Sequence, residues 1–203
     1  MAFHPIFNLS ILALLLNTTS ALAATPYSSV NVTLKQELGN LSLGGNTRAS
    51  PVMGISKPTI KNGVAYVSAS HSLGDWAIGL SPKLPISLTV MSQQGDAVLD
   101  LRPLQLSALT ITQQLGTLTL MLPAANLNVS LTQSQGDGTI TLPPNVGLRL
   151  NAKQFTQGTL IMNGKTVAAG LKFDGTYQTA NYDSAQYKVN MTVKKQLGTL
   201  TIK

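Results

Sequence analysis

The sequence contains no cysteine and two histidines, and it has seven Asp and Glu residues against fourteen Lys and Arg. Without cysteine, it cannot form disulfides, thiolate zinc sites, iron–sulfur clusters or a cysteine nucleophile. Charged residues make up 10% of the chain, against about 25% in an ordinary soluble domain. So few carboxylates and imidazoles leave little material for acid–base or metal chemistry. The sequence therefore predicts no catalytic, cofactor-binding or metal-binding residues.

The charge is unbalanced, with a formal net charge of +7 that favours anionic partners. The positive charges are scattered, and eleven of the fourteen are lysines, which suits solvation better than bidentate recognition of phosphate. Nucleic acid is therefore not expected as a partner. An anionic polymer of the cell envelope, or another envelope protein, is the partner that we expect.

Residues 1–23 have the pattern of a secretory signal peptide. An apolar run from Phe7 to Leu16 precedes the polar residues 17–20, and the small-x-small sequence 21–23 forms a cleavage site. The run is shorter than the roughly 20 apolar residues that a membrane-spanning helix needs, so no transmembrane anchor is expected. A buried N-terminal strand or helix is the alternative interpretation. The sequence predicts an exported protein, whether periplasmic, envelope-associated or extracellular, with residues 24–203 as one domain.

Glycines divide the chain into similar units, at intervals of 21, 21, 22 and 20 residues: Gly74, Gly95, Gly116, Gly138 and Gly158. Apolar residues tend to fall at the second and fourth positions after each glycine, with polar residues, often threonine, between them. Three segments are close copies, VNVTLKQELGNLSL (30–43), TQQLGTLTL (112–120) and VNMTVKKQLGTLTI (189–202). Such alternation indicates half-buried β-strands, so each unit is a strand, a glycine turn and a second strand.

A constant period of 20–22 residues with no helical pattern predicts an all-β protein. We expect a β-solenoid, a single stack of rungs about 4.8 Å apart. An antiparallel β-barrel or sandwich is the alternative, because the same unit can form a hairpin. The expected repeat core is 67–162, between an N-terminal strand and capping segment at 24–66 and a C-terminal hairpin with closing strands at 163–203. Two Asn-Gly pairs, 62–63 and 163–164, predict hairpin turns.

The stretch Asp75–Asn151 carries the blocks WAIGLSP, GDAVLDLRPLQLSALTI, QLGTLTLMLP and GDGTITLPPNVGLRL, with strands that end in Leu122-Pro123 and Leu142-Pro143. It resembles the bacterial toast-rack and LiaF-like envelope-stress domains. The resemblance implies a β-solenoid fold and an envelope role in sensing, scaffolding or adhesion, and it supplies no catalytic residues. LiaF-like regulators carry transmembrane helices, whereas this chain has only the predicted signal peptide.

Two patterns imitate catalytic motifs. Gly158–Thr166 has the outline of a phosphate-binding P-loop, but five residues separate its glycines where the motif needs four. His71 and Asp75, with Ser70 or Ser72, are the residue types of a hydrolase triad, yet they lie within six residues and no Gly-x-Ser-x-Gly elbow accompanies them. Turn structure is the better interpretation of both patterns.

A row of carboxylates is a further candidate. Asp75, Asp96 and Asp137 follow turn glycines, and stacking in register would place them along one edge of the solenoid. Carboxylates from several rungs could hold Ca²⁺, but Asx-type bonds to the turn backbone are the favoured interpretation. With Asp100 added, the row is the one place for the acids of a polysaccharide-cleaving enzyme.

Amide side chains repeat along the chain as well. The glutamines near the turns are predicted to form ladders between rungs: Gln93, Gln94, Gln113, Gln114, Gln133 and Gln135. Asn-x-Ser/Thr sequons start at Asn31, Asn40, Asn128 and Asn190. The function that the sequence favours is a non-catalytic, exported solenoid acting as an envelope-associated scaffold, adhesion or binding and sensing module. A polysaccharide-active β-helix enzyme and a β-barrel carrier of a small ligand are the alternatives.

Overall fold

The computed structural model describes residues 12–13, 27–45 and 58–203. The regular secondary structure within these ranges consists of β-strands. The predicted signal peptide lies outside the described residues apart from positions 12–13. The strands are β1 (Leu12–Ala13), β2 (Ser29–Leu38), β3 (Leu41–Gly45), β4 (Thr59–Lys61), β5 (Val64–Leu73), β6 (Trp76–Leu80), β7 (Ile86–Gln94), β8 (Ala97–Asp100), β9 (Leu106–Leu115), β10 (Leu118–Met121), β11 (Leu127–Gln135), β12 (Gly138–Thr141), β13 (Val146–Met162), β14 (Lys165–Gln178) and β15 (Tyr187–Ile202). Within those described ranges, no helix has the length and apolarity that a membrane span requires.

The repeating unit is a rung composed of a long strand, a glycine corner and a short strand. In one rung β9 ends at Leu115, Gly116 turns the chain, and β10 begins at Leu118. In β13 and β15 the two parts form one continuous strand that runs through Gly158 or Gly198. Each rung therefore contributes to two faces of the molecule.

Burial alternates along each strand as the sequence predicts. Leu118 and Leu120 are 1% and 0% exposed, whereas Thr117 is exposed and Thr119 is half-buried. The same pattern in the other rungs produces one apolar core of Leu, Ile and Val side chains. Because one rung cannot cover its own apolar face, burial against the neighbouring rungs stabilises the stack.

Neighbouring rungs pair in parallel. The long strands form one face in the order β5-β2-β7-β9-β11, and the short strands form another in the order β6-β3-β8-β10-β12, while β15 and β13 extend both faces. Antiparallel pairing in the described chain is confined to the hairpins β4–β5 and β13–β14. The predicted β-solenoid is confirmed. The antiparallel barrel or sandwich is wrong, because the rungs stack in parallel and the sheet stays open.

The rungs are not stacked in the order of the sequence. The rung β2–β3 lies between β5–β6 and β7–β8, and β15 lies between β11–β12 and β13. The segments 30–43 and 189–202, which are close copies in sequence, each occupy an interior place next to an outer rung. Each expected end segment, 24–66 and 163–203, thus contributes an outer strand, β4 or β14, together with an interior rung.

Turn chemistry follows the sequence at the two hairpins. Asn62 and Gly63 connect β4 to β5, and Asn163 and Gly164 connect β13 to β14, with positive φ at all four residues. This conformation matches the twist of the flanking strands and explains the Asn-Gly pairs. Both predicted hairpin turns are confirmed.

The corner glycines form a column in which successive backbones touch. Gly116 has a φ of 125°, and a Cβ atom there would overlap the carbonyl oxygen of Gly95 in the next rung. Only glycine tolerates both this φ and this close approach. The corner glycine after β11 is Gly136, not Gly138 as the glycine spacing predicted, and Gly138 instead lies on β12 beside Leu118 and Leu200.

Candidate functional site

Side chains that follow the corner glycines form a row on the outside of the corner, which we call the corner row. In stacking order the row is Asp75, Asn40, Asp96, Thr117, Asp137 and Thr199. The backbone N–H of Asn40 donates to Asp75 at 3.1 Å, that of Thr117 to Asp96 at 2.8 Å, and that of Thr199 to Asp137 at 2.7 Å. The bonds are of the expected Asx kind, but they join one rung to the next. The row therefore holds the stack together.

Two of the candidate carboxylates, Asp96 and Asp100, are poorly suited to act as a general acid. The hydrogen bond from the Thr117 backbone lowers the pKa of Asp96, and the hydrogen bonds from the Arg102 guanidinium lower the pKa of Asp100. A general acid in glycoside hydrolysis needs a raised pKa instead. In the part of the chain that the structure describes, no group of three or more His, Cys, Asp or Glu side chains is placed to hold a metal ion.

The two imitated motifs are parts of strands. The ring of His71 stacks on Trp76 with 5.6 Å between ring centroids, and Ser70 and Ser72, its neighbours in β5, project from the opposite face of the strand. The triad pattern is therefore not assembled around His71. Gly158–Thr166 forms the end of β13, a hairpin turn and the start of β14, in place of a phosphate-binding loop and helix.

A second row lies inside the corner, built from the third residue before each corner glycine. We call it the inner polar row, and in stacking order it is His71, Gln36, Ser92, Gln113, Gln133 and Lys195. All of these side chains except that of His71 are buried. The row is thus a line of polar groups along one edge of an otherwise apolar core.

The predicted glutamine ladder is confirmed for two of its members. Gln113 donates from Nε2 to the carbonyl oxygens of Gly95 at 2.9 Å and Thr117 at 3.0 Å. Gln133 donates from Nε2 to Gln113 Oε1 at 3.1 Å and to the carbonyl oxygen of Gly116 at 3.1 Å. The remaining predicted glutamines do not belong to the inner polar row, and three of them are exposed: Gln94, Gln114 and Gln135.

Sequence reasoning missed Lys195, which is 1% exposed. Its Nζ donates to Gln133 Oε1 and to the carbonyl oxygen of Gly136, each at 2.5 Å. Burial lowers the pKa of Lys195 to about 8, while the negative charge of Asp137 acts in the opposite direction. The sequence contains a signal that Lys195 points inward, because this residue aligns with Gln36 when the copies 30–43 and 189–202 are superposed.

The outer surface of the long-strand face carries a groove of about 650 Å³. This polar groove crosses β9, β11, β15, β13 and β14. One line of side chains across it consists of Thr110, Ser130, Thr192, Asn151 and Thr176, and the line beside it of Asn128, Asn190 and Arg149. Among the described residues that line the groove, none is Asp or Glu.

A buried tyrosine orients two of the side chains that line the polar groove. The hydroxyl of Tyr182, a side chain 5% exposed, donates to Asn190 Oδ1 at 2.9 Å. The guanidinium carbon of Arg149 lies 4.2 Å from the centroid of the Tyr182 ring, and Arg149 Nη2 donates to Gln178 Oε1 at 3.4 Å. The Asn190 amide nitrogen is left to donate elsewhere, and the Arg149 guanidinium is held over a ring.

The polar groove was not predicted from the sequence. Its signal lies in the sequons, because Asn128-x-Ser130 and Asn190-x-Thr192 place polar side chains on the outer face of two strands. Their meaning depends on the strand order, which makes β11 and β15 neighbours.

Comparison with known proteins agrees with this architecture. Residues 51–143 match the model of the N-terminal domain of toast_rack, DUF2154. The solved structure of a candidate cell adhesion protein from Clostridium sporogenes ATCC 15579 superposes with a TM-score of 0.72 and 18% identity, covering 88% of this chain and 93% of that chain. Among curated proteins none matches the chain. The toast-rack resemblance is confirmed, and the structural neighbour shows the same fold.

Proposed function

We propose that this chain, whose residues 51–143 match the toast-rack N-terminal domain, is a non-catalytic adhesion or scaffold module that binds a component of the cell envelope. The polar groove carries the proposal, because it offers hydroxyl, amide and guanidinium groups across five adjacent strands. A parallel stack with rungs bonded at their corners presents these groups on a rigid surface. The structural neighbour, named as a candidate cell adhesion protein, supports the same role.

The enzymatic alternative has less support. Glycoside hydrolysis needs two carboxyl groups on either side of the scissile bond, and the described lining of the polar groove contains none. Asp96 and Asp137 belong to the corner row, where each accepts a hydrogen bond from the backbone of the next rung. A carrier of a small ligand inside the fold is also unsupported, because side chains such as Leu99, Leu120 and Ile140 fill the core.

We propose further that the protein acts outside the cytoplasm, at the envelope or beyond it. The predicted signal peptide at 1–23 supports this location, and so does the adhesion description of the structural neighbour. The net charge of +7 favours a negatively charged component of the envelope as the partner.

Retention on envelope material tests the proposal. The purified full chain is passed over immobilised envelope fragments at low salt, and the eluate is assayed both for protein and for released sugar reducing ends. We expect retention without release. Ser130→Trp, which fills the polar groove, should abolish retention. Ser68→Trp is exposed on β5, at the opposite end of the long-strand face, and should leave retention intact.

Two outcomes would reject the proposal. One is a complete lack of retention on every envelope preparation. The other is release of reducing ends that disappears in Asp96→Asn, since this would make the corner row catalytic.

A further inference from the structure

The polar groove combines one kind of charge with many uncharged hydrogen-bonding groups. Arg149 brings a guanidinium into a lining otherwise made of Asn, Ser, Thr and apolar residues. The ammonium of Lys188 adds to the positive charge, since it lies 5.7 Å from the same Tyr182 ring that Arg149 covers. The carboxylate of Asp183 accepts a hydrogen bond from Gln178 Nε2 at 3.4 Å and is not among the residues that line the groove. The ligand that complements this set has negative charges separated by neutral polar groups.

Arg149 is held in a geometry that suits a planar anion. The Tyr182 ring packs against its guanidinium, and Gln178 accepts from Nη2. A guanidinium constrained in this way binds a carboxylate through two parallel hydrogen bonds, and less conformational entropy is lost on binding than with a free lysine.

The uncharged groups repeat along the direction in which the rungs stack. Asn128 and Asn190 are register partners on adjacent strands, and Asn190 is in turn the register partner of Arg149. Adjacent strands lie about 4.8 Å apart, which is close to the length of one sugar residue in an extended glycan chain. The amides and hydroxyls of successive strands can therefore each meet the hydroxyls of successive sugars.

We propose that the polar groove binds an acidic polysaccharide, a chain of sugars bearing carboxylate groups, with one carboxylate on Arg149 and the sugar hydroxyls on Asn128 and Asn190. The inference rests on the proposed function and names its ligand class. The carboxylate is the feature that Arg149 selects, and the row of amides gives the chain its direction across the strands.

Titration calorimetry of the full chain with oligogalacturonate tests the ligand class. Arg149→Gln should raise Kd about tenfold or more, because a charge-assisted bidentate contact is lost. The matched control is Arg102→Gln, since Arg102 is exposed and pairs with Asp100 away from the polar groove. Methyl-esterified oligogalacturonate, which keeps the hydroxyls and loses the charge, should bind wild type as weakly as the acidic form binds Arg149→Gln.

Asn128→Asp provides a second variant that leaves the packing of Arg149 on Tyr182 untouched. It places a negative charge in the groove and should weaken binding of the acidic form about tenfold, whereas the esterified form, which loses only a hydrogen-bond donor to its hydroxyls, should be weakened less. This variant keeps the test valid even if Arg149→Gln fails to fold.

Four results would overturn the inference: no binding of oligogalacturonate, equal binding of the acid and its ester, binding indifferent to Arg149, or Arg149-dependent binding of polyglycerol phosphate alone. The last would assign a phosphate polymer to the same groove. None of these rejects the adhesion role, because retention on envelope material is measured independently. If Arg149→Gln is still retained on envelope material, the proposed function holds, but the binding surface does not depend on Arg149.

Discussion

The inner polar row differs between the two halves of the solenoid, although the backbone of the corner is the same in both. In the half formed by β9, β11 and β15, Gln113, Gln133 and Lys195 bond to one another and to corner carbonyls. In the half formed by β2 and β7, Gln36 Oε1 and Ser92 Oγ are buried without a partner among the described residues. The rung geometry decides which position points inward, and the residue type decides whether the polar groups meet.

Ser92 interrupts the line of hydrogen bonds along the inner polar row. Ser92 is the register partner of both Gln36 and Gln113, but its short side chain cannot bridge between two glutamine amides. Gln36 therefore forms hydrogen bonds only through Nε2, which donates to the carbonyl oxygens of Leu38 at 3.0 Å and Gly74 at 2.8 Å. A buried polar group with no partner costs about 1–3 kcal/mol, so the β2–β7 half should be the less stable of the two.

The largest loss of stability is expected at the corner glycines, which are the same in both halves. Gly116→Ala forces a side chain into a backbone with φ of 125° and into the carbonyl oxygen of Gly95. The free energy of unfolding should fall by about 4–5 kcal/mol, or the protein should fail to fold. Urea denaturation measures the change.

The matched control for this variant is Gly63→Ala in the β4–β5 hairpin. Its φ is 74°, and a Cβ atom there has open space around it. Only the conformational cost of about 1 kcal/mol should remain. Equal losses from both variants would show that close stacking of the corners contributes nothing.

We call the part of the inner polar row on β9, β11 and β15 the bonded half, and the part on β2 and β7 the interrupted half. Truncating a side chain should lower the free energy of unfolding more in the bonded half than in the interrupted half. Gln133→Ala removes the acceptor of a buried ammonium along with the two N–H donors that serve Gln113 and the carbonyl oxygens of Gly116 and Asp137, so the free energy of unfolding should fall by about 4 kcal/mol. Gln36→Ala should cost about 1–2 kcal/mol, because only Nε2 is bonded. Gln114→Ala, at an exposed site, should change little, and similar losses at positions 36 and 133 would contradict the comparison.

The strand order explains what the sequence could and could not predict. Rung boundaries and inward positions follow from alternation within one segment, such as Leu118 and Leu120. The neighbours of each rung do not, because the copies 30–43 and 189–202 present similar faces and fit into any gap in the stack. The polar groove depends on that order: Asn128 and Arg149 both lie next to Asn190 only because β15 inserts between β11 and β13.

Lys195 gives the bonded half a dependence on pH that the interrupted half lacks. Its pKa is about 8 in the folded protein and 10.5 without burial, so the unfolded chain binds more protons between these pH values. The free energy of unfolding should therefore rise with pH across that window, by about 3 kcal/mol in total. The rise should be absent in Lys195→Met and retained in Lys194→Met, which alters an exposed neighbour. Identical pH profiles for the two variants would exclude Lys195 as the cause.

The smallest effect is expected at the interruption itself. Ser92→Ala removes a buried hydroxyl that has no partner, so the free energy of unfolding should stay constant or rise by about 0.5–1 kcal/mol. The equivalent truncation in the next rung, Gln113→Ala, breaks bonds to two carbonyls and to Gln133 and should cost about 2–3 kcal/mol. Opposite signs at two positions with the same backbone would show that bonding between rungs, rather than location, sets the value of the inner polar row. A clear loss from Ser92→Ala would mean that its hydroxyl is bonded in solution, through water, and that the row is continuous after all.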